Sequence, residues 1–310
     1  MLTLSSLPVD ELARRLHGPG LRLRTGPLVF CIRSRVSQVR EGLRALYGAH
    51  LVAEQGVFAD FDVSVNHADG WRRWLRPKLF FGIDGGSTFA PLPGDQGVPM
   101  LEWGLNWCIA GNCHQYLMLH AAVLERNGRA LVMPAPSGSG KSTLCAALLF
   151  RGWRLLSDEL AIIEPATGLL LPMPRAVSLK NASIEVLQRF AGESLQFGSV
   201  VSDTVKGRVA HFAPPLDSVQ RAAERVAPAW IVFPRFQLGV TSLMDPMTRG
   251  RALMRLIENA FNYNVHLDIG FNALTRVVQS SNCCQYHYSD LDQAVAFFDR
   301  WSRTAPELPQ

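Results

Sequence analysis

The stretch Ala135-Pro136-Ser137-Gly138-Ser139-Gly140-Lys141-Ser142 decides the fold around it. Four apolar residues, 130–133, precede it, and the apolar segment 143–149 that follows has helical character. A strand, a glycine-bearing loop and a helix, in that order, allow backbone N–H groups and the positive end of the helix to surround phosphate oxygens. The sequence therefore predicts a phosphate-binding loop at the start of a helix. The alternative is a Gly/Ser-rich turn that precedes a helix by chance.

The residues of this loop have different predicted roles. Lys141 is expected to reach the β- and γ-phosphates of ATP, and the Ser142 hydroxyl is expected to ligate Mg²⁺. Nucleotide binding is predicted for Ser137, Gly138, Ser139, Gly140, Lys141, Ser142 and Thr143. Ala135 occupies the position where the usual pattern begins with glycine. Because Pro136 follows it, residue 135 is expected to be extended, and alanine then fits as well as glycine.

Two adjacent acids, Asp158 and Glu159, follow the predicted loop helix. Arg151-Gly152 is expected to end that helix, and Leu155-Leu156 to begin a short strand that ends in the two acids. The pair then lies on the strand next to the loop, whereas most phosphate-loop enzymes place their metal-binding acid on a more distant strand. Two carboxylates in this place can divide the work, one binding Mg²⁺ and one accepting a proton from an attacking hydroxyl. The alternative is a solvated acidic turn.

Basic residues beyond the acid pair are candidates for contacts with the substrate. The segment 165–215 is rich in Pro, Gly and basic residues, and an apolar strand predicted at 229–234 leads to one further arginine. Cations near the transferred group neutralise charge during phosphoryl transfer, and open α/β sheets bind ligands beyond the carboxyl ends of their strands. The candidates are Arg175, Lys180, Lys206, Arg208 and Arg235, and His211 falls in the same segment as the first four. The alternative for each of them is a solvated surface charge.

These residues together resemble the catalytic domain of HPr kinase/phosphorylase and its distant relative phosphoenolpyruvate carboxykinase. The resemblance to HPr kinase covers about residues 120–164, and its parts are a histidine that opens a strand (His120), a turn at 126–128, the loop, Arg151-Gly152 and the acid pair. The whole chain resembles the HPr-kinase-related kinase A group, with the further segments 101–107, 174–181 and 231–236. The resemblance implies an α/β fold with a P-loop, HPr-kinase/carboxykinase-like sheet core and a smaller N-terminal α/β domain.

The resemblance also implies an activity, namely ATP-dependent transfer of the γ-phosphoryl group to a hydroxyl of a protein or peptide. Serine is the acceptor residue that the resemblance favours. It gives catalytic roles to Asp158 as general base, to Lys141 at the phosphates, and to His120 near the phosphates and the acid pair. The implied Mg²⁺ ligands are Ser142, Asp158 and Glu159. Glu159 stands where the family has a second aspartate, so the division of base and metal ligand between the two acids stays open. For His120, the alternative is a buried strand histidine bonded to backbone.

Two other functions would use the same residues. One is a kinase of a small metabolite or a carboxykinase-like phosphotransferase, which the same core would serve. The other is a nucleotide-binding module without catalysis, suggested by Ala135 and by Glu159 in place of aspartate. Lys141, Ser142 and Asp158 are all present, which favours catalysis. Resemblance of fold alone does not decide among the three functions.

Length and apolar pattern predict the domain organisation. The chain has 310 residues, 48% of them hydrophobic and 18% charged, which fits a globular enzyme with two domains, predicted at 1–98 and 99–310. Strands are predicted at 28–32, 58–65 and 78–83, and helices at 36–47 and 101–120. The first domain carries no recognisable chemistry, and we expect it to serve scaffolding, docking or homo-oligomerisation.

Charge and targeting signals narrow the partners. The net charge of +5 comes without a long basic run interleaved with aromatic residues, so a nucleic-acid partner is not expected. The N-terminus lacks the pattern of a signal peptide, and no apolar run approaches the ~20 residues of a membrane span. The six cysteines form no Cys-x-x-Cys pair, and buried or partly exposed thiols in a reducing compartment are the simplest account of them. We therefore expect a cytoplasmic protein without a membrane partner.

Overall fold

The computed structural model describes residues 2–68, 77–87, 89–136 and 138–303, and within these ranges the strands form three sheets. The first sheet belongs to the N-terminal part of the chain. Its strands and the neighbouring helices are α1 (Val9–His17), β1 (Leu21–Thr25), β2 (Leu28–Ser34), α2 (Ser37–Tyr47), β3 (Phe61–His67), β4 (Lys78–Ile83), β5 (Gly86–Ser87), β6 (Leu92–Pro93) and α3 (Gly97–Asn112). The strands pair in the order β1-β2-β3-β4-β5, with β6 beside β4.

The start of β3 corrects one predicted strand. The alternation of apolar residues predicted a strand from residue 58, but β3 begins at Phe61, which pairs in parallel with Phe30 of β2. Phe58 precedes this pairing and is 80% exposed. From Phe61 onward alternate side chains are buried, as the two-residue period of a strand requires. The elements predicted at 28–32, 36–47 and 78–83 are confirmed.

The rest of the chain forms the second and third sheets. Its elements are β7 (Leu117–Arg126), β8 (Arg129–Pro134), α4 (Lys141–Leu149), β9 (Arg154–Ser157), β10 (Leu160–Ile163), β11 (Leu170–Leu171), β12 (Val177–Lys180), α5 (Ala182–Ala191), β13 (Ser199–Thr204), β14 (Gly207–Phe212), α6 (Leu216–Gln220), β15 (Ala227–Phe236), β16 (Leu243–Pro246), α7 (Arg249–Glu258), α8 (Tyr263–Gln279), β17 (Asn282–Tyr288) and α9 (Leu291–Trp301). The second sheet has the strand order β11-β10-β7-β8-β15-β17-β16, with β9 beside β7. The third has the order β12-β14-β13. Because β15 is parallel to both β8 and β17, these three strands end at the same edge of the second sheet.

Helices cover both faces of the second sheet. In β8, Leu131 and Met133 join the hydrophobic cluster that contains α4 and α9, whereas Ala130 and Val132 join the cluster that contains α7 and α8. Strands that are buried on both faces are nearly continuously apolar, which explains the unbroken apolar run before the glycine-bearing loop. The predicted mixed α/β class is confirmed.

Helix α3 connects the first sheet to the second. The helix predicted at 101–120 is wrong in its last residues, because α3 ends at Asn112 and residues 117–120 belong to β7, where they pair with β10. An apolar run of this kind fits a helix or a buried strand equally well until its partner is known. The hydrophobic cluster of the first sheet continues onto Met118, Leu160 and Ile162 of the second. The division into domains at residue 98 stays a prediction.

The cysteines are buried throughout the chain, and all six are free thiols. Burial raises the pKa of Cys108 to about 12 and those of Cys113 and Cys283 to about 11, so these thiols stay protonated at neutral pH. None of the helices in the described ranges combines the length and the apolar character that a membrane crossing requires.

Candidate functional site

The glycine loop (residues 135–142) connects β8 to α4 at the edge where the parallel strands end. Gly138 and Gly140 have φ values of 85° and 88°, in the left-handed region that favours glycine. The space around the second glycine is closed, because a Cβ at Gly140 would lie 2.3 Å from the hydroxyl oxygen of Tyr288 and 2.8 Å from Cβ of Phe236. Tyr288 also donates a hydrogen bond to the Gly140 carbonyl oxygen (3.0 Å), and the Phe236 N–H donates to the Ser139 carbonyl oxygen (2.9 Å). The ends of β15 and β17 therefore fix the conformation of the loop.

Ala135, the departure from the usual loop pattern, causes no backbone strain. It is buried, and its φ lies outside the left-handed region. The expectation that alanine fits this position is confirmed. Ser137, which was predicted to bind nucleotide, lies outside the described residues.

The first turn of α4 carries the remaining residues predicted for nucleotide binding. Lys141 is the first residue of the helix and is buried, whereas Ser142 and Thr143 are half-buried. The Lys141 ammonium group donates a hydrogen bond to the backbone carbonyl oxygen of Asp158 at 2.7 Å. The lysine of the glycine loop and the acid pair, predicted separately from the sequence, therefore meet at one point.

Asp158 and Glu159 form the turn between β9 and β10. The strand that was expected to end in the two acids therefore ends at Ser157, directly before them. Asp158 is buried, and its Oδ2 accepts a hydrogen bond from the Ser178 N–H at 3.2 Å. Burial raises the pKa of Asp158; Lys141 opposes this effect and Glu159 adds to it. A buried carboxyl whose pKa is raised is a better proton acceptor at neutral pH than an exposed one.

Glu159 has a different environment from its neighbour. Its Oε2 accepts a hydrogen bond from the side-chain amide of Asn106 on α3 (2.8 Å), and its Oε1 lies 3.8 Å from the Lys180 ammonium nitrogen. Burial acts to raise the pKa of Glu159, but Lys141, Lys180 and Lys206 outweigh it, and the net shift is downward. Glu159 therefore keeps its charge while Asp158 is pushed toward protonation, so the two acids are chemically distinct.

His120 lies on β7 directly opposite Leu160, next to the turn that carries the acids. Its backbone N–H donates to the Asn259 carbonyl oxygen (2.7 Å), and its half-buried ring contacts the Phe261 ring edge-on. Burial and the Lys141 charge lower the pKa of His120 to about 4, against an opposing effect of Glu159. The ring is therefore neutral at neutral pH and lies within the electrostatic field of the loop and the acids.

Two of the five basic candidates lie at the acid pair. Lys180, at the end of β12, approaches Glu159 as described above, and Lys206, in the turn between β13 and β14, places its ammonium nitrogen 4.7 Å from the ring centroid of Trp103. Burial and the Lys180 charge lower the pKa of Lys206, and Glu159 opposes them. A lysine held over an aromatic ring near a carboxylate is well placed to meet an anionic group.

The other three basic candidates have different surroundings. Arg175 is buried and forms an ion pair with Glu102 of α3 (2.8 Å), and it donates a further hydrogen bond to Asn106 (2.9 Å). Arg208 forms an ion pair with Glu185 of α5. Arg235 is exposed at the end of β15, next to the residue that bonds the glycine loop.

Sequence reasoning missed the contribution of α3. Asn106 bonds Glu159 and Arg175, and Glu102 binds Arg175 and accepts a hydrogen bond from the Tyr47 hydroxyl (2.6 Å). Both α3 residues lie in the segment 101–107 that carries part of the resemblance, but no spacing rule connects them to the acid pair more than fifty positions later.

The residues at this site fit a nucleotide and Mg²⁺. The hydroxyl of Ser142 and the carboxylates of Asp158 and Glu159 are oxygen donors, which Mg²⁺ prefers. Gly138 and Gly140 leave the loop backbone without side chains, and α4 offers the N–H groups of its first turn.

Comparison with known proteins adds a distant structural similarity. No family model matches the chain, and no curated protein matches it significantly. Among the solved structures that match is an HPr(Ser) kinase/phosphatase from Coxiella burnetii, at 12% sequence identity and a TM-score of 0.29, covering 60% of this chain and 95% of that one.

Proposed function

We propose that this chain is an ATP-dependent phosphotransferase with a P-loop, HPr-kinase-like core. It would transfer the γ-phosphoryl group to a hydroxyl of a protein or peptide, with serine as the favoured acceptor residue. The observation that carries the proposal is the 2.7 Å hydrogen bond between the Lys141 ammonium group and the Asp158 backbone. It supports a single site in which the phosphate-binding loop and the acid pair act on the same group.

The loop and the start of α4 would bind the phosphates. The N–H groups of the first turn of α4 have no partner within the helix and are directed toward the loop, where they suit an anion. Lys141, Lys180 and Lys206 would supply positive charge near the transferred group. The Lys180 ammonium nitrogen lies 3.8 Å from Glu159, and Lys180 and Lys206 both act to lower the pKa of Glu159, so both charges lie near the acid pair.

The acids would divide their roles according to their environments. Asp158, buried and with a raised pKa, would accept the proton of the acceptor hydroxyl. Glu159, which stays charged, would bind Mg²⁺ together with Ser142. When bound, Mg²⁺ neutralises charge on the phosphate oxygens. Neutral His120 would contact the phosphates or the acceptor without adding charge.

The test follows labelled phosphate from [γ-³²P]ATP into a host-cell lysate separated by size. Wild type is compared with Lys141→Ala and Asp158→Asn, and the matched controls are Lys78→Ala and Asp10→Asn, which change exposed residues of the N-terminal part. A labelled protein or peptide that disappears in the first two variants and persists in the controls supports the proposal. Asp158→Asn should retain ATP binding, and transfer that survives this change would contradict the role of Asp158 as base.

The same experiment distinguishes the other two functions. Label found only in small molecules would favour a metabolite kinase or a carboxykinase-like enzyme. ATP binding without any labelled acceptor, in lysates from several growth conditions, would favour a binding module.

A further inference from the structure

A small cavity lies beside the acid pair. Its volume is about 30 Å³, and its lining includes Asp158, Ser178 and His211. Glu102 and Arg175, which form a buried ion pair, also line it. A cavity of this size with several polar groups in its lining has room for one water molecule.

Three of the lining residues carry buried polar atoms that lack a hydrogen-bond partner among the described residues. These atoms are Oδ1 of Asp158, Oγ of Ser178 and both ring nitrogens of His211. His211 is only 1% exposed. Buried polar groups are nearly always bonded to protein or to ordered water, and each exception requires an explanation. Three such groups around one cavity have a common explanation in a shared ligand.

The register of the third sheet brings these groups together. Ser178 of β12 and His211 of β14 are directly opposite one another in an antiparallel pair, so their side chains lie on the same face of the sheet. The Ser178 N–H binds Oδ2 of Asp158, and Oδ1 has no hydrogen-bond partner among the described residues. The approach of Ser178 and His211 to one another therefore follows from backbone pairing, and the hydrogen bond from Ser178 brings Asp158 beside them.

The chemistry of the three groups suits a water molecule better than an ion. Burial lowers the pKa of His211; Glu102 and Glu159 oppose the shift, and Arg175 and Lys180 strengthen it. A neutral imidazole has one N–H donor and one acceptor nitrogen, and a serine hydroxyl is both donor and acceptor. A water molecule can accept from these donors and donate to an ionised carboxylate, which only accepts hydrogen bonds.

We propose that this cavity binds one water molecule between Asp158, Ser178 and His211, and that His211 is thereby a positioning residue for the Asp158 carboxylate. With Oδ2 bonded to the Ser178 N–H and Oδ1 bonded to the water, both oxygens of the carboxylate are fixed. Each oxygen keeps a second lone pair, so the carboxylate can still accept a proton from an acceptor hydroxyl. The water site is independent of the proposed function, whereas its catalytic consequence rests on it.

The first test is a high-resolution crystal structure of the full chain without nucleotide. We expect one ordered water within hydrogen-bond distance, about 2.7–3.2 Å, of Asp158 Oδ1, Ser178 Oγ and a ring nitrogen of His211. An empty cavity, direct protein partners for these atoms, or an ion at the shorter distances of metal coordination would overturn the proposal.

The second test compares His211→Leu, which removes both ring nitrogens, with His211→Gln, which keeps one donor and one acceptor. His211→Leu should lose the water in the crystal and lower kcat for phosphoryl transfer about tenfold or more, with KM for ATP changed less than about twofold. His211→Gln should restore most of the loss. Equal kcat values for the two variants, or a water that persists in His211→Leu, would refute the positioning role.

A third variant keeps the proposal testable if His211→Leu does not fold. Ser178→Ala removes one water ligand without changing the ring, and it should weaken or displace the water and lower kcat less than His211→Leu. If wild type shows no phosphoryl transfer at all, the proposed function fails, and the crystal structure still decides whether the water site exists.

Discussion

The two halves of the candidate site are stabilised in different ways. The glycine loop is defined by residues that are adjacent in sequence, and two contacts from β15 and β17 fix its backbone. The acid pair is defined by residues from distant parts of the chain: Asn106 of α3 bonds Glu159, and Ser178 of β12 bonds Asp158. The loop therefore depends on the backbone conformation of its glycines and on two contacts from the second sheet, and the acid pair depends on the assembly of three sheets.

Because of this difference, substitutions should affect the two halves of the site in different ways. A loop that is set by glycine conformation is sensitive to a single added methyl group. The acid pair is supported by a buried network in which Tyr47 bonds Glu102, and Arg175 connects Glu102 to Asn106. Changes in that network should act first on folding, and only then on the site.

The largest effect should come from Arg175→Met, on the side of the acid pair. The change leaves the Glu102 carboxylate buried without its cation, and loss of one partner of a buried pair costs about 3–5 kcal/mol in the free energy of unfolding. Urea denaturation measures this effect. The control is Arg14→Met, which removes an exposed partner of Glu11 and should cost at most about 0.5 kcal/mol.

The double variant Glu102→Met/Arg175→Met sharpens the result. Replacing both ions by apolar residues removes the uncompensated charge, so stability should return toward that of wild type. If Arg175→Met were no more destabilising than Arg14→Met, the acid pair would not depend on the buried network, and the contrast with the loop would be lost.

The next effect belongs to the loop and uses its two glycines as a matched pair. Gly138→Ala and Gly140→Ala both place alanine at positive φ, which costs of the order of 1 kcal/mol. At Gly140 the added Cβ meets the Tyr288 hydroxyl and Phe236, whereas at Gly138 no described residue beyond its chain neighbours has an atom within 4 Å of it. Gly140→Ala should therefore lower the free energy of unfolding by about 1–3 kcal/mol more than Gly138→Ala does, measured by urea denaturation without nucleotide. Equal losses would mean that the strands do not fix the loop.

The elements that could be predicted from the sequence are those with a local signal. The loop, the helix after it, the strand at 28–32 and the helix at 36–47 each follow from composition and period within a few residues. The errors occurred where a partner decides the outcome. Strand β3 begins at Phe61 because its parallel neighbour begins the pairing there, and the apolar run after Asn112 becomes a strand because β10 lies beside it.

The candidate site divides in the same way. Lys141 and the acid pair could be connected from the sequence because one helix and one turn separate them. The positions of Arg175, Asn106 and His211 relative to the acids depend on the register of β12 with β14 and on the packing of α3, and no short motif encodes either. For this reason Arg175, predicted to contact substrate, is found in a buried ion pair.

The smallest expected effect is that of Asn106→Ala. This variant tests whether α3 takes part in the chemistry of the site or only stabilises the fold around it. Asn106→Ala removes the hydrogen bonds to Glu159 and Arg175, which should cost about 1 kcal/mol in the free energy of unfolding and lower phosphoryl transfer by more than this loss of stability explains. The control on the same helix is Asn112→Ala, because Asn112 bonds only the Cys108 carbonyl among the described residues. Both variants lose a side-chain amide at a helical position, so their difference reports the contacts of Asn106 with Glu159 and Arg175. If the two variants retain equal transfer activity, α3 stabilises the fold around the acid pair without taking part in its chemistry.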